Sequence, residues 1–130
     1  AKLQRERGLT YLFIAHDLSV MRFFTDRLAI IHRGKIVEMA ETEQIFAHPL
    51  HPYTQGLFDA VPDLESPIGE KLAVIQGLPP DPTNLPSGCC FHPRCPYATE
   101  DCSKNAPEMT EVVPGHFVAC PVRTAALKND

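Results

Sequence analysis

Apolar residues in the first third of the chain fall into short runs and helical repeats separated by glycine, aspartate and threonine. Residues 1–7 are charged and helix-forming, and Gly8 follows as a C-cap, since glycine enters the left-handed region without a Cβ penalty. Thr10 to Ala15 is a continuous apolar run, the pattern of a strand buried on both faces of a parallel sheet. Asp17 is placed to cap a helix over residues 18–25, where Leu18, Met21 and Phe24 recur at helical spacing. Leu28–Ile31 and Lys35–Met39 flank His32-Arg33-Gly34 and predict a hairpin turning at Gly34. Thr42 is expected to cap a short helix carrying Ile45 and Phe46, which stops before Pro49. Phe13, Phe23, Phe24 and Phe46 are assigned to the core. Arg5, Arg7, Arg22, Arg27 and Lys35 are assigned to the solvated surface.

Past Pro49 the pattern changes. His51-Pro52-Tyr53-Thr54 opens a helix through Ala60, with proline in the first turn, where no backbone donor is needed. Residues 62–70 read as loop, Leu72–Ile75 as a short strand, and Gly77–Gly88 as an extended, polyproline-like connector. Composition sharpens the break. All 13 prolines lie between Pro49 and Pro121, and all five cysteines between Cys89 and Cys120. The expected division is residues 1–48, a helix-and-strand connector over 49–76, and a proline-rich linker with the cysteine region over 77–130.

Twelve Lys and Arg against 16 Asp and Glu give a net charge of −4, which provides no basic field and argues against nucleic acid as a main partner. No apolar run approaches the roughly 20 residues of a membrane helix, and no apolar segment follows the charged start as a signal peptide requires. Without such a signal, grouped cysteines point to metal binding or redox work rather than to disulfides. A helix that starts abruptly in charged sequence, with no initiator Met, is expected of a piece of a longer chain.

Two features carry candidate chemistry. His16 ends the predicted strand, where ligands gather in open α/β sheets. There, beside the capping Asp17, it is positioned either to donate to a phosphate or to serve as a structural hydrogen-bonder. Cys89, Cys95, Cys102 and Cys120 are spaced C-x5-C-x6-C-x17-C. Only Cys90 to Cys95, as C-x4-C, matches a zinc knuckle, whereas four thiolates also suit a [4Fe–4S] cluster, and disulfides stay open. Pro93, Pro96 and Pro121 stiffen the segment and lower the entropy lost in holding it around a metal. His92 and His116 are candidate supporting donors or plain core or solvated residues. Cys90 is either a spare thiol or a competing ligand, and Arg94 either steadies negative charge or makes a surface ion pair.

Leu9 to Val20, Asp26 to Ile31 and Gly34 to Glu38 together resemble the end of an ABC-transporter ATPase domain. Glu43 to Pro49 and His51 to Leu57 extend the resemblance to ATP-binding subunits of bacterial oligopeptide and dipeptide importers, most of all the dipeptide type. The resemblance implies that His16 contacts the γ-phosphate of ATP. Within Gly-Cys-x-Phe-x-Pro-Arg-Cys-Pro, the later cysteine and the closing His116 to Cys120, it implies that Cys89, Cys95, Cys102 and Cys120 hold a [4Fe–4S] cluster, with zinc the alternative. It implies an α/β fragment, the C-terminal end of an ABC ATPase domain. A small, proline-rich, cysteine-containing α+β or irregular extension would follow. Its partners would be membrane permease subunits and a second ATPase subunit, and its place peripheral, at the cytoplasmic face of the membrane. A P-loop is missing: the only Gly-Lys pair, Gly34-Lys35, lacks the rest of the motif, and neither an Asp-Glu strand end nor a Ser-Gly-Gly signature occurs. ATP and Mg²⁺ therefore belong to a longer parent, and this chain alone is expected to be inactive. An unpaired Leu12-Phe13-Ile14 strand edge is expected to drive self-association. The other reading is a stand-alone metal-binding interaction or redox-regulatory module.

Overall fold

Arg33 and Gly34 both take positive φ, 52° and 75°, the backbone of a two-residue I′ turn. They join β1 (Arg27–His32) to β2 (Lys35–Glu41) in the predicted hairpin. Along β1, Leu28, Ile30 and His32 turn inward in strict alternation. Ile30 pairs with Glu38 but Ile31 with Ile36, so Val37 is an extra residue on β2. This bulge breaks the alternation and buries Val37 and Glu38 in succession.

The computed structural model of the protein describes residues 2–61, 81 and 83–128. A second hairpin, β3 (Thr110–Val113) and β4 (His116–Val118), pairs through β4 with the free edge of β2. The sheet order is β1-β2-β4-β3, antiparallel throughout. Glu38 stands opposite Val118 and Met39 opposite Phe117, and Ala119 N–H donates to the Val37 carbonyl at 2.8 Å. The fold is thus a small mixed α/β arrangement on an antiparallel sheet that takes strands from both ends of the chain.

The helix α1 (Lys2–Arg7) ends at Gly8 with φ 61°, as expected. Thr10–Ala15 departs from expectation: it forms no strand, and Leu12 and Ile14 are 91% and 90% exposed. A strand buried on both faces needs neighbours, and none among the described residues pairs with or covers this run. In α2 (Leu18–Phe24), Asp17 accepts the Ser19 N–H at 2.9 Å. Only Met21 of that helix is buried. Phe13, Phe23 and Phe24 are exposed rather than in the core, while Phe46 packs edge-on to Phe58 at 4.8 Å. The α3 helix (Thr42–Ala47) is capped by Glu41, one residue earlier than expected. Thr42 is instead buried, its N–H donating to the Asp26 carbonyl and its hydroxyl 3.0 Å from that of Thr25. Arg22 is no bare surface charge: it donates twice to the Glu43 carboxylate, at 3.2 and 3.0 Å.

His51 caps α4 (Pro52–Asp59), close to the expected bounds. Beyond it come a 3₁₀ turn at His92–Arg94, then α5 (Glu100–Lys104) and α6 (Pro121–Lys128). The expected 62–70 loop, the Leu72–Ile75 strand and residues 77–80 and 82 of the expected connector lie outside the described residues. One core cluster gathers Met21, Leu28, Ile30, Val37, Ala40 and Ile45. A second gathers Leu50, Val118 and Cys120, with Val112 and Val122 against it. Among the described residues no helix is long and apolar enough to cross a membrane.

Candidate functional site

Cys89, Cys95, Cys102 and Cys120 line one cavity, together with His51, Phe91 and His92. They arrive from separate pieces of backbone: Cys89 before the 3₁₀ turn, Cys95 just after it, Cys102 within α5, and Cys120 immediately before α6. Cys120 is buried and the other three are half-buried. Cys90 is not among the lining residues; its Sγ instead approaches the His32 carbonyl at 3.7 Å. His16 stands exposed in the bend before α2 and takes no part in the cavity.

Gly88 makes the convergence sterically feasible. Its φ is 68°, and a Cβ there would meet the Cys102 carbonyl oxygen at 2.4 Å and the Ser103 carbonyl carbon at 2.8 Å. That close approach lets Cys89 N–H donate to the Cys102 carbonyl at 2.8 Å. On α5, the Thr99 hydroxyl and N–H lie 3.3 and 3.5 Å from Cys102 Sγ. His92 Nδ1 lies 2.8 Å from the Cys89 carbonyl. Phe91, only 2% exposed, anchors the loop. Its ring packs against His32 at 5.6 Å, Tyr53 at 5.5 Å and His51 at 6.0 Å, tying the cysteine segment to the end of β1 and the start of α4.

Burial pushes the Cys95 and Cys120 thiols up, and the neighbouring cysteines push them further. At Cys120 the backbone N–H groups of Arg123 and Val122, in the first turn of α6, act in the opposite sense by donating toward the sulfur. A metal entering here has to displace protons from thiols that hold them firmly. Burial, and secondarily His32, brings His51 down to about 4, so its imidazole is neutral at ordinary pH. Its Nδ1 accepts the Tyr53 N–H at 3.0 Å.

Glu38, wholly buried at the bulge, holds the backbone that leads into His51. Its Oε1 accepts the Leu50 N–H at 2.8 Å and stands 2.7 Å from His116 Nε2, while its Oε2 accepts the His51 N–H at 2.9 Å. His116 is therefore a core histidine paired to Glu38. Glu38, His51, Gly88 and Phe91 are the members of this arrangement that residue pattern alone did not single out.

Among the described residues no group of three or more His, Cys, Asp or Glu is arranged to hold a metal ion. Four thiolates on a single zinc, each at about 2.3 Å, must close to about 3.8 Å from one another. A four-iron cluster spreads its ligand sulfurs more widely and needs a roomier lining. Four soft thiols in a largely apolar wall, with backbone donors toward Cys102 and Cys120, make a donor set suited to thiolate-bound iron.

The family model described as the oligopeptide/dipeptide transporter, C-terminal region, matches residues 37–102. Oligopeptide transport ATP-binding protein AppF of Bacillus subtilis is 45% identical over 121 residues, 92% of this chain and 37% of that protein. The "Putative peptide import ATP-binding protein" of Brucella ovis is 43% identical over 118 residues, 91% of this chain and 37% of that protein. The chain thus spans little more than a third of the length of these curated relatives.

Proposed function

The chain belongs to the family of the oligopeptide/dipeptide transporter C-terminal region, and from that premise we propose that it is the tail of an ATP-binding subunit of a bacterial peptide importer whose cysteine cavity holds a [4Fe–4S] cluster. The observation that carries the cluster reading is the convergence of Cys89, Cys95, Cys102 and Cys120, without Cys90, on one largely apolar cavity. Those four thiols would be the ligands. The bound cluster would supply either a structural staple or one-electron chemistry.

The chain's own residues do the rest. Phe91 shields one wall from water, and the N–H groups of Thr99, Val122 and Arg123 offset charge on the sulfurs of Cys102 and Cys120. In a complete subunit, His16 would be presented to the γ-phosphate of ATP from the turn before α2. The partners would be permease subunits and a second ATPase subunit at the cytoplasmic face of the membrane. The exposed Leu12, Ile14, Phe23 and Phe24 support self-association wherever the rest of such a subunit does not cover them.

Anaerobic purification followed by iron, sulfide and visible-absorption measurements tests the cluster. Iron and sulfide should be present in equal amounts. They should be largely lost in Cys89→Ser, Cys95→Ser, Cys102→Ser and Cys120→Ser, and kept in Cys90→Ser. A chain without iron under those conditions overturns the assignment.

A further inference from the structure

We infer that His51 is a positioning residue of the cysteine cavity, holding its Nε2–H as a fixed donor to the sulfur of that centre. The inference rests on the cluster reading above and adds a residue to it. Three observations converge. The ring of His51 is 1% exposed and lines the same cavity as the four cysteines. Its Nδ1 is occupied as an acceptor by the Tyr53 N–H at 3.0 Å. A nitrogen that accepts cannot carry the proton, so the neutral ring carries it on Nε2. Finally, the residue is held in place: the His51 backbone N–H donates to Glu38 Oε2 at 2.9 Å, and the Phe91 ring lies tilted beside the imidazole with centroids 6.0 Å apart.

The sequence His51-Pro52-Tyr53 produces this arrangement. Proline at the first helical position has no N–H, so the Tyr53 N–H is the first donor of α4 that needs a partner, and His51 Nδ1 takes it. Asparagine or aspartate would cap the helix at least as well. Capping alone therefore does not account for a whole imidazole in this wall; the second nitrogen does. His92, the other histidine of the lining, is turned the other way: its Nδ1 faces the Cys89 carbonyl and must donate to that backbone oxygen. His51 is thus the lining histidine whose Nδ1 accepts, which fixes its proton on Nε2. A hydrogen bond to ligand sulfur favours the more reduced, more negative state of a thiolate-bound iron centre.

His51→Asn is the test, because asparagine keeps an acceptor for the Tyr53 N–H and removes the ring. In the iron-loaded chain, redox titration should show the variant about tenfold harder to reduce, about 59 mV more negative for a one-electron couple. An unchanged potential in a variant with unaltered circular dichroism overturns the role of His51 while leaving the cluster standing. If the parent chain binds no iron, the cluster reading fails, and alkylation of the cavity thiols by iodoacetamide in the metal-free chain then decides. A donor at His51 stabilises thiolate, so His51→Asn should react several-fold more slowly; equal rates overturn the inference on that arm as well.

Discussion

The Nε2 of His116 stands 2.7 Å from Oε1 of Glu38, and both side chains are closed off from water. The same carboxylate accepts the N–H groups of Leu50 and His51, so one residue ties together β2, β4 and the turn into α4. Glu38→Ala strands two amides and a histidine in the interior, and should cost about 3–5 kcal/mol. Glu38→Gln keeps one acceptor and should cost less. Urea unfolding curves of the two variants against the parent check the order, which fails if alanine and glutamine are equivalent.

Gly88→Ala places a methyl group against the backbone of Cys102 and Ser103 and forces an L-residue to a φ of 68°. The left-handed conformation alone costs roughly 1–2 kcal/mol, and a clash with backbone cannot be relieved by rotating a side chain. Cys89 should swing away from α5, with a large fall in bound iron and a modest fall in melting temperature. Full iron content in Gly88→Ala would show that the close approach is dispensable.

Acid and alkali should each weaken the metal-free chain, for opposite reasons. His51 sits at about 4 in the fold against an ordinary 6.5. Its contribution is complete above pH 6.5 and disappears as the pH falls toward 4, a loss of roughly 3 kcal/mol. Cys95 and Cys120 are raised above an ordinary 9.0. Their contribution is present below that value and fades as the pH climbs through their raised range. Unfolding measured with a chelator present should therefore show greatest stability near neutrality, and His51→Asn should flatten the acid limb alone.

Leu12 and Ile14, 91% and 90% exposed, lie close in sequence to the exposed Phe23 and Phe24. The average mass by light scattering should rise with concentration, and Leu12→Ser with Ile14→Ser should bring it toward the monomer. A monomer at every concentration in the parent chain would remove the basis for self-association.

What was legible in the sequence was whatever a few neighbouring residues decide. Arg33-Gly34 turns a hairpin, Asp17 caps α2 and Pro52 starts α4 for reasons contained within four or five positions. The burial of Thr10–Ala15 depends on elements elsewhere, and its apolar composition could not say whether they were present. Glu38 stands opposite the buried Ile30 and two residues before the buried Ala40, a carboxylate in an inward register position with the extra residue Val37 buried beside it, which no local pattern announces. The strands β3 and β4 span four and three residues, too few for alternation to register. The separation of Cys90 from the other four cysteines came from the family resemblance rather than from spacing, as did the frame in which His51 stands.

The pairing of Val118 with Glu38 also sets an order of events. Cys120 follows Val118 by two residues, so it enters the cavity only when β4 has docked on β2, a closure spanning some 80 positions of chain. On an emerging polypeptide, Cys89, Cys95 and Cys102 leave the ribosome first and wait with the edge of β2 still bare. The last strand is therefore a latch. The fourth thiol of the cavity is in place only when the sheet is complete, and a chain that stops after α5 would bring three thiols to it.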